Sequence, residues 1–265
     1  MPPLRTALLQ SSGRPGRTAG NLRVLDDAAR RAAEAGASLL VCPEMFLTGY
    51  AIGDGIERLA ESADGPGAGA VAETAARHGV AVLYGYPERD GERVYNSARL
   101  IGAGGEPLAN YRKTHLYGPF ERERFAAGER PVVQAEVGGV RVGVLICYDV
   151  EFPEIVRAHA LAGTDLLLVP TAQMRPFEFV AESVVPVRAF ESQMYIAYVN
   201  RTGPEGDFDF VGLTCLAGPD GTAHARAGRG EELLVCDVDP ALLAASREAN
   251  PYLHDRRPGL YDALA

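Results

Sequence analysis

Apolar positions recur along this chain with two different periods, and the changes of period outline its elements. A short apolar run over Arg5–Gln10 predicts a strand. From about Asn21 to Ala35, Leu22, Leu25, Ala29 and Ala32 recur at three and four residues, which is a helical repeat. Gly36 marks its stop, and Ser38–Cys42 reads as the next strand. A helix near Ala70–His78 and strands at Val80–Gly85, Val94–Ile101 and Pro107–Tyr111 complete the first half. In the second half Val140–Ile146 is a strand that runs into Cys147, and Pro153–Ala162 reads as a helix with its proline in the first turn. The unbroken apolar run Asp165–Val169 predicts a strand buried on both faces. A longer helix from about Pro176 to Gln193 contains Pro186, which predicts a kink or a junction there. Strands at Tyr195–Val199, Val211–Ala217, Thr222–Ala227 and Leu233–Val238 follow, then a helix over Pro240–Glu248.

Roughly ten or more strands exceed what one doubly wound sheet usually holds, so the pattern predicts an α/β chain of two packed sheets with helices outside them. The glycine-rich stretches at 65–69 (GPGAG) and 102–105 (GAGG) read as turns and match neither GxGxxG nor a P-loop. With 265 residues, 47% of them hydrophobic, and no linker or repeat, one domain with a large core is expected over 1–265.

Charge narrows the partners. A net charge of −9 without a basic run longer than two residues gives no footprint for nucleic acid or an anionic membrane, so a small molecule is the expected partner. The opening MPPLRTALLQ lacks the basic start and apolar core of a secretory signal, and no apolar stretch approaches the ~18 residues of a membrane span, which together predict a cytoplasmic protein. Cys42, Cys147, Cys215 and Cys236 are too widely spaced for CxxC chemistry and predict reduced thiols. His78, His115, His159, His224 and His254 show no metal-ligand spacing, so no metal is expected.

Three strand ends carry ionisable residues. Glu44 follows a buried strand and Pro43, where a carboxylate is costly unless paired or solvated. Cys147 lies between an apolar strand and a helix start, a turn that exposes a side chain at a sheet edge and aims backbone N–H groups at an anion. Lys113 is the only lysine beside 25 arginines. A compact ammonium can serve as a point charge beside an oxyanion where a guanidinium fork cannot, so the exception is a candidate for that task. Glu121, within Glu121-Arg122-Glu123-Arg124, reads by itself as part of a charged face. A thiol nucleophile needs a base and a cation, and a carboxylate with a lysine supplies both without histidine.

These residues stand in segments that resemble the nitrilase superfamily of carbon–nitrogen hydrolases. PEMFLTGY places the family's glutamate at Glu44, YRKTHLYGPFERERF its lysine at Lys113, and CYDVEFPE its nucleophile at Cys147. Glu121 matches the second glutamate of the family's amidases. Further likeness at VCPEMFLTGY, YGYPER, ICYDVEFPE and LVPTA points to the aliphatic amidase branch that includes 5-aminopentanamidase and the R-stereoselective amidases. The resemblance implies a four-layer αββα sandwich and hydrolysis of a small primary amide through a thioester on Cys147. Glu44 would act as the proton carrier, Lys113 and the Tyr148 backbone N–H would face the oxyanion, Glu121 would orient the amide and the lysine, and no cofactor is implied. It also implies a homodimer in which Pro251–Tyr261 crosses to the partner.

Many relatives carry arginine where this chain has Glu151, which weighs against a carboxylate-bearing substrate. Glu151, Asp54 and Glu178 form an acidic set that would suit the ammonium of an ω-amino amide such as 5-aminopentanamide. Nitrile hydrolysis, N-carbamoyl amide hydrolysis of the carbamoylputrescine type, an idle scaffold and a Cys–His protease using His115 stay open as alternatives.

Overall fold

The computed structural model describes residues 2–261. In chain order its strands are β1 (Leu4–Gln10), β2 (Leu39–Val41), β3 (Ala81–Asp90), β4 (Arg93–Ile101), β5 (Pro107–Arg112), β6 (Gln134–Val137), β7 (Val140–Val144), β8 (Leu166–Thr171), β9 (Tyr195–Asn200), β10 (Thr202–Glu205), β11 (Phe208–Val211), β12 (Cys215–Ala217), β13 (Ala223–Arg226) and β14 (Glu232–Val238). The α-helices are α1 (Thr18–Glu34), α2 (Gly55–Leu59), α3 (Pro66–His78), α4 (Gly118–Arg124), α5 (Pro153–Leu161), α6 (Val185–Ser192), α7 (Pro240–Ala249) and α8 (Tyr252–Asp255). Two six-stranded sheets form, in the orders β14-β1-β2-β3-β4-β5 and β13-β12-β9-β8-β7-β6, with β10 and β11 as a separate ribbon.

Side-chain alternation explains the layering. On the first sheet Leu8, Leu39, Val41 and Leu83 belong to one apolar cluster with Val142, Val144 and Leu167 of the second sheet. Their sequence neighbours Ala7, Leu9, Leu40 and Val82 instead join Leu25, Ala28, Ala29 and Ala32 of α1 and Val71 and Ala75 of α3. Successive strand residues point to opposite faces, so the first sheet is buried on both sides, between helices and the other sheet. The alanine stripe of α1 has little side chain to hold the helix off the sheet. On the far side, Ile155 and Val156 of α5 and Val185 and Ala189 of α6 complete the second sheet's core. The result is the expected αββα sandwich. Each fully buried leucine or valine contributes about 1.5–3 kcal/mol of transfer free energy, and this core is what holds the site's strand ends in place.

Three differences from the sequence pattern have local causes. The GPGAG stretch is not wholly a turn, because α3 begins at Pro66. The Glu61 carboxylate accepts the Gly67 N–H at 3.0 Å, so a cap from six residues upstream starts the helix there. The segment from Pro176 to Gln193 becomes a π turn over Val180–Val184 that leads into α6. Pro186 has no N–H to give to the carbonyl four residues back, and the ladder widens just before it. The single strand expected over Val211–Ala217 is broken between β11 and β12, where Gly212 and Leu213 both take positive φ, 68° and 61°. The short elements α2, α4, β6, β10 and α8 were not legible from periodicity.

Strands β7, β8 and β9 run parallel, as do β1, β2 and β3, and β5 runs in the same direction as β3 with the antiparallel β4 between them. The C-terminal ends of β2 and β5 therefore open at one edge of the first sheet, and those of β7 and β8 at one edge of the second. Catalytic groups in α/β folds gather at such edges.

Candidate active site

Glu44 lies three residues past β2 and is fully buried. The chain turns sharply after it, with Met45 at φ 50°. This turn presses against β3 so closely that a Cβ on Gly85 would lie 2.4 Å from the Met45 nitrogen and 2.8 Å from the Pro43 oxygen. Glycine at 85 is thus required for the Glu44 turn to sit on the sheet. From the other side the buried Arg201 donates to the Glu44 carbonyl at 3.3 Å and to the Ser12 carbonyl at 2.7 Å, and pairs with Glu205. Glu205 in turn accepts the Tyr50 and Ala51 N–H groups at 2.6 and 2.7 Å. Both ends of the Glu44 loop are fixed.

Lys113 follows β5 with 1% of its surface exposed. Its N–H bonds to the Asn96 carbonyl at 2.8 Å, and its own carbonyl accepts the Gly128 N–H at 2.8 Å. The ammonium donates to Glu44 Oε1 at 2.8 Å and to Glu121 Oε1 at 2.7 Å. Glu121 is not on a solvated charged face: it is fully buried on α4, with Oε2 accepting the Tyr117 N–H at 2.7 Å and Oε1 accepting the Tyr50 hydroxyl at 2.9 Å. Asn96, central in β4 on the same face as Ala98, donates to Glu44 Oε1 at 2.6 Å and to Glu121 Oε1 at 3.3 Å. An ammonium has three donors. Two are taken by the carboxylates and one is free.

Cys147 starts a short 3₁₀ turn, Cys147–Glu151, directly after β7 and Leu145-Ile146. It has φ 47°, a strained value for a residue with a Cβ, and its thiol lies 3.9 Å from Gln173 Oε1 beyond β8. Tyr148 follows in the first turn of that helix, where amides have no intrahelical acceptor. The cleft over the thiol is narrow and lined by Tyr50, Tyr117, Tyr148, Glu151, Ala172, Gln173 and Met174. The molecule's larger surface grooves contain none of Glu44, Lys113, Glu121 and Cys147.

Burial dominates the proton affinities. It raises Glu44 to about 7, against the Lys113 charge that lowers it, with Glu121 raising it further. Burial also pushes the Cys147 thiol well above its usual value, Glu44 adds to this, and Lys113 and the Ala172 backbone N–H oppose it. Burial alone would lower Lys113, but Glu121 and Glu44 together hold it well above its ordinary value. At neutral pH the site therefore contains a neutral thiol and a buried carboxyl poised between its two forms. Glu44 Oε2 has no hydrogen-bond partner and is buried, so it is the acceptor left open.

The acidic set expected around the substrate is not assembled as a set. Glu151 lines the cleft, partly buried, and burial raises its carboxyl while Lys113 and Arg188 pull it down. Arg188 pairs with Glu191 at 2.8 Å and gives residue 151 only a bond to its backbone carbonyl, at 3.0 Å. Glu178 points to Arg175 at 3.1 Å and Arg229 at 3.4 Å and does not line the cleft. Asp54 is exposed immediately before α2 and lies outside the lining as well. His115 hydrogen-bonds to Asp149 and Thr114. Asn96, Tyr50, Gln173 and the Arg201–Glu205 pair were missed by sequence reasoning; the one available signal was a polar Asn96 inside a strand of otherwise core-facing alternation.

A thiol, a buried carboxyl and a lysine tied to a second carboxylate, at the facing edges of an αββα sandwich, are the groups that a cysteine hydrolase of the amide-cleaving kind needs. Residues 5–248 match the carbon–nitrogen hydrolase family, and the chain belongs to that family as an amidase-type enzyme of the nitrilase superfamily. It is 49% identical to a Pseudomonas protegens protein described as a hydrolase in the pqqF 5′ region, over 99% of this chain and 92% of the relative. It is 38% identical to an (R)-stereoselective amidase of a Pseudomonas species, over 96% and 92% of the two chains. Among solved structures, a nitrilase-superfamily amidase from Nesterenkonia AN1 superposes with a TM-score of 0.87 at 36% identity, covering 99% of this chain and 97% of that one.

Lys113 is 1% exposed and held between two buried carboxylates, which leaves little room for a guanidinium, so Lys113→Arg is expected to lower kcat by at least about a hundredfold while the far-ultraviolet circular dichroism stays that of the parent. Normal amide turnover by this variant would show that the lone lysine is interchangeable with arginine.

Proposed function

We propose that the chain hydrolyses a small aliphatic primary amide to a carboxylate and ammonia through a thioester on Cys147. The observation that supports this most directly is the Lys113 ammonium shared between Glu44 and Glu121, with one donor free. In the proposed first step the Cys147 sulfur attacks the carbonyl carbon as its proton passes to Glu44 Oε2. The oxyanion takes the third Lys113 donor and the Tyr148 N–H. Collapse of the tetrahedral adduct breaks the C–N bond, the Glu44 proton goes to the departing nitrogen, and ammonia leaves. Glu44 then takes a proton from water, whose oxygen attacks the thioester carbon. The C–S bond breaks and the thiol is restored by the Glu44 proton. Glu121 holds Lys113 in register and accepts from the substrate's amide nitrogen. In the Nesterenkonia AN1 amidase, one mutant carries acrylamide added at the active-site cysteine and another is in complex with butyramide, which supports a short acyl chain here.

For the far end of the substrate, Glu151 supports an ammonium-bearing acyl chain such as that of 5-aminopentanamide. It is a carboxylate in the cleft whose nearest guanidinium is already engaged by Glu191. A homodimer is also part of this reading. Leu161 of α5, Val187 of α6, Tyr252 of α8, and Leu260 and Tyr261 beyond it are all exposed apolar residues on the helices outside the second sheet and the segment after them.

Three outcomes test this reading. Ammonia release is expected to be faster from 5-aminopentanamide than from valeramide or glutaramate, with Cys147→Ala inactive; equal rates on all three would remove the role of Glu151, and faster release from a matched nitrile or N-carbamoyl compound would reassign the reaction. Because Glu44 must be ionised to take the thiol proton, and burial places it at about 7, kcat/KM is expected to rise with pH through about 7. The same limb should be missing from Cys147 alkylation by acrylamide in Glu44→Gln; an unchanged limb would exclude Glu44 as the proton acceptor. Light scattering is expected to give twice the 28.2 kDa chain mass, and Leu161→Glu to move it toward the monomer; a monomeric parent would end the dimer assignment.

A further inference from the structure

Asp149 has no place in the chemistry above, yet it is the most heavily engaged carboxylate near the site. It belongs to the nucleophile turn itself, two residues after Cys147, and is fully buried. Its Oδ2 accepts the Ile146 N–H at 3.1 Å and the Tyr111 hydroxyl at 2.9 Å. Its Oδ1 accepts the Thr114 hydroxyl, the His115 N–H and His115 Nδ1–H, each at 2.8 Å. A carboxylate offers about four lone-pair sites, so these five donors saturate it.

The identity of the donors gives the arrangement its meaning. Ile146 immediately precedes Cys147 on the second sheet, while Thr114 and His115 immediately follow Lys113 on the first. Tyr111 is on β5, two residues before Lys113. One buried carboxylate thus ties the backbone that aims the thiol to the backbone that aims the ammonium, across the gap between the two sheets. His115 is held in turn by stacking on Phe152, with ring centroids 4.0 Å apart and planes inclined by 15°. Phe152 ends the same 3₁₀ turn that begins at Cys147, so this contact is a second tie between the same two loops. The strained φ of 47° at Cys147 needs such an anchor, because nothing in the local sequence favours it.

We propose that Asp149 is a positioning residue: it sets the distance and angle between Lys113 and Cys147, with His115 and Phe152 as its brace. This rests on the roles given above to Lys113 and Cys147. Asparagine at 149 is a stringent probe, because whichever way its amide turns, its NH₂ meets a backbone N–H, from Ile146 or from His115. Asp149→Asn is expected to lower kcat by about a hundredfold, the scale of a misplacement near 1 Å, with KM changed less than about threefold because the cleft lining is untouched. Tyr111→Phe and Thr114→Val each remove one neutral donor and leave the carboxylate in place. They are expected to fold and to lower kcat by about tenfold at unchanged KM, which keeps the inference testable if Asp149→Asn does not fold. A lower melting temperature with parental kcat in Asp149→Asn, or parental kcat in both milder variants, would overturn the proposal and leave Asp149 a purely structural group. Cys147→Ala, assayed alongside, separates the cases: if it keeps activity, the underlying chemistry is wrong, and if it is inactive, the outcome bears on Asp149 alone.

Discussion

One ammonium buried between two carboxylates organises this site. Taking Lys113, Glu44 and Glu121 out of water costs several kcal/mol per ion after relaxation, and the cost is offset only because every group has close partners. Lys113 reaches both acids within 2.8 Å, and Asn96, Tyr50 and the Tyr117 N–H supply the remaining donors. Removing one member of such a cluster typically costs about 3–5 kcal/mol because an uncompensated charge is left behind. The cluster has two acids for one base, and that imbalance gives it chemical use. The deficit of positive charge, added to burial, lifts Glu44 to about 7. A carboxyl with that affinity can both take and return a proton at neutral pH, as the proposed reaction requires twice in each cycle.

The surrounding fold can be understood as support for this cluster and for the two strained turns beside it. Met45 and Cys147 both have positive φ, which costs of order 1–3 kcal/mol at each residue. Gly85, Arg201 and Glu205 secure the first turn, and Asp149 secures the second. These supports are buried and hydrogen-bonded to backbone, so they hold the turns without entering the cleft. The sandwich places the two turns on different sheets, and the apolar cluster packed between the sheets fixes their separation through rigid, close-packed side chains.

Much of this was legible in the chain itself. The alternation of Ala7, Leu8 and Leu9 and the three-four spacing in α1 were enough for two sheets with helices outside. Glu44, Lys113 and Cys147 stood out because each broke an apolar strand end, and the structure brings Glu44 and Lys113 into direct contact at a site that opens on Cys147. Glu121 was legible only through family likeness, since in sequence it sits among alternating charges and nothing local says it is buried. Asn96, Asp149 and the Arg201–Glu205 pair were silent for a related reason. Their roles come from partners tens of residues away, such as the 52-residue separation of Asn96 from Glu44, and no local period encodes such a contact. The acidic set failed because Glu178 is engaged by two arginines, Arg229 from 51 residues away, which no local period encodes, and Arg175 from three residues away, a pair that the spacing could have shown.

The charge balance around the cleft bears on both ends of the proposed reaction. Lys113 bonds to Glu44 and Glu121 and its charge reaches Glu151, and the guanidinium of Arg188, the other cation that pulls on the Glu151 carboxyl among the described residues, is already paired with Glu191. A neutral amide enters such a site without electrostatic penalty, and an ammonium on its far end is drawn toward Glu151. The carboxylate product has the opposite experience. Once the thioester is cleaved, it lies among like charges in a low-dielectric cleft, where repulsion is weakly screened. The same imbalance that raises Glu44 for proton transfer therefore favours departure of the acid once it has formed, without a moving part, while the direction of the overall reaction is set by the free energy of hydrolysis itself.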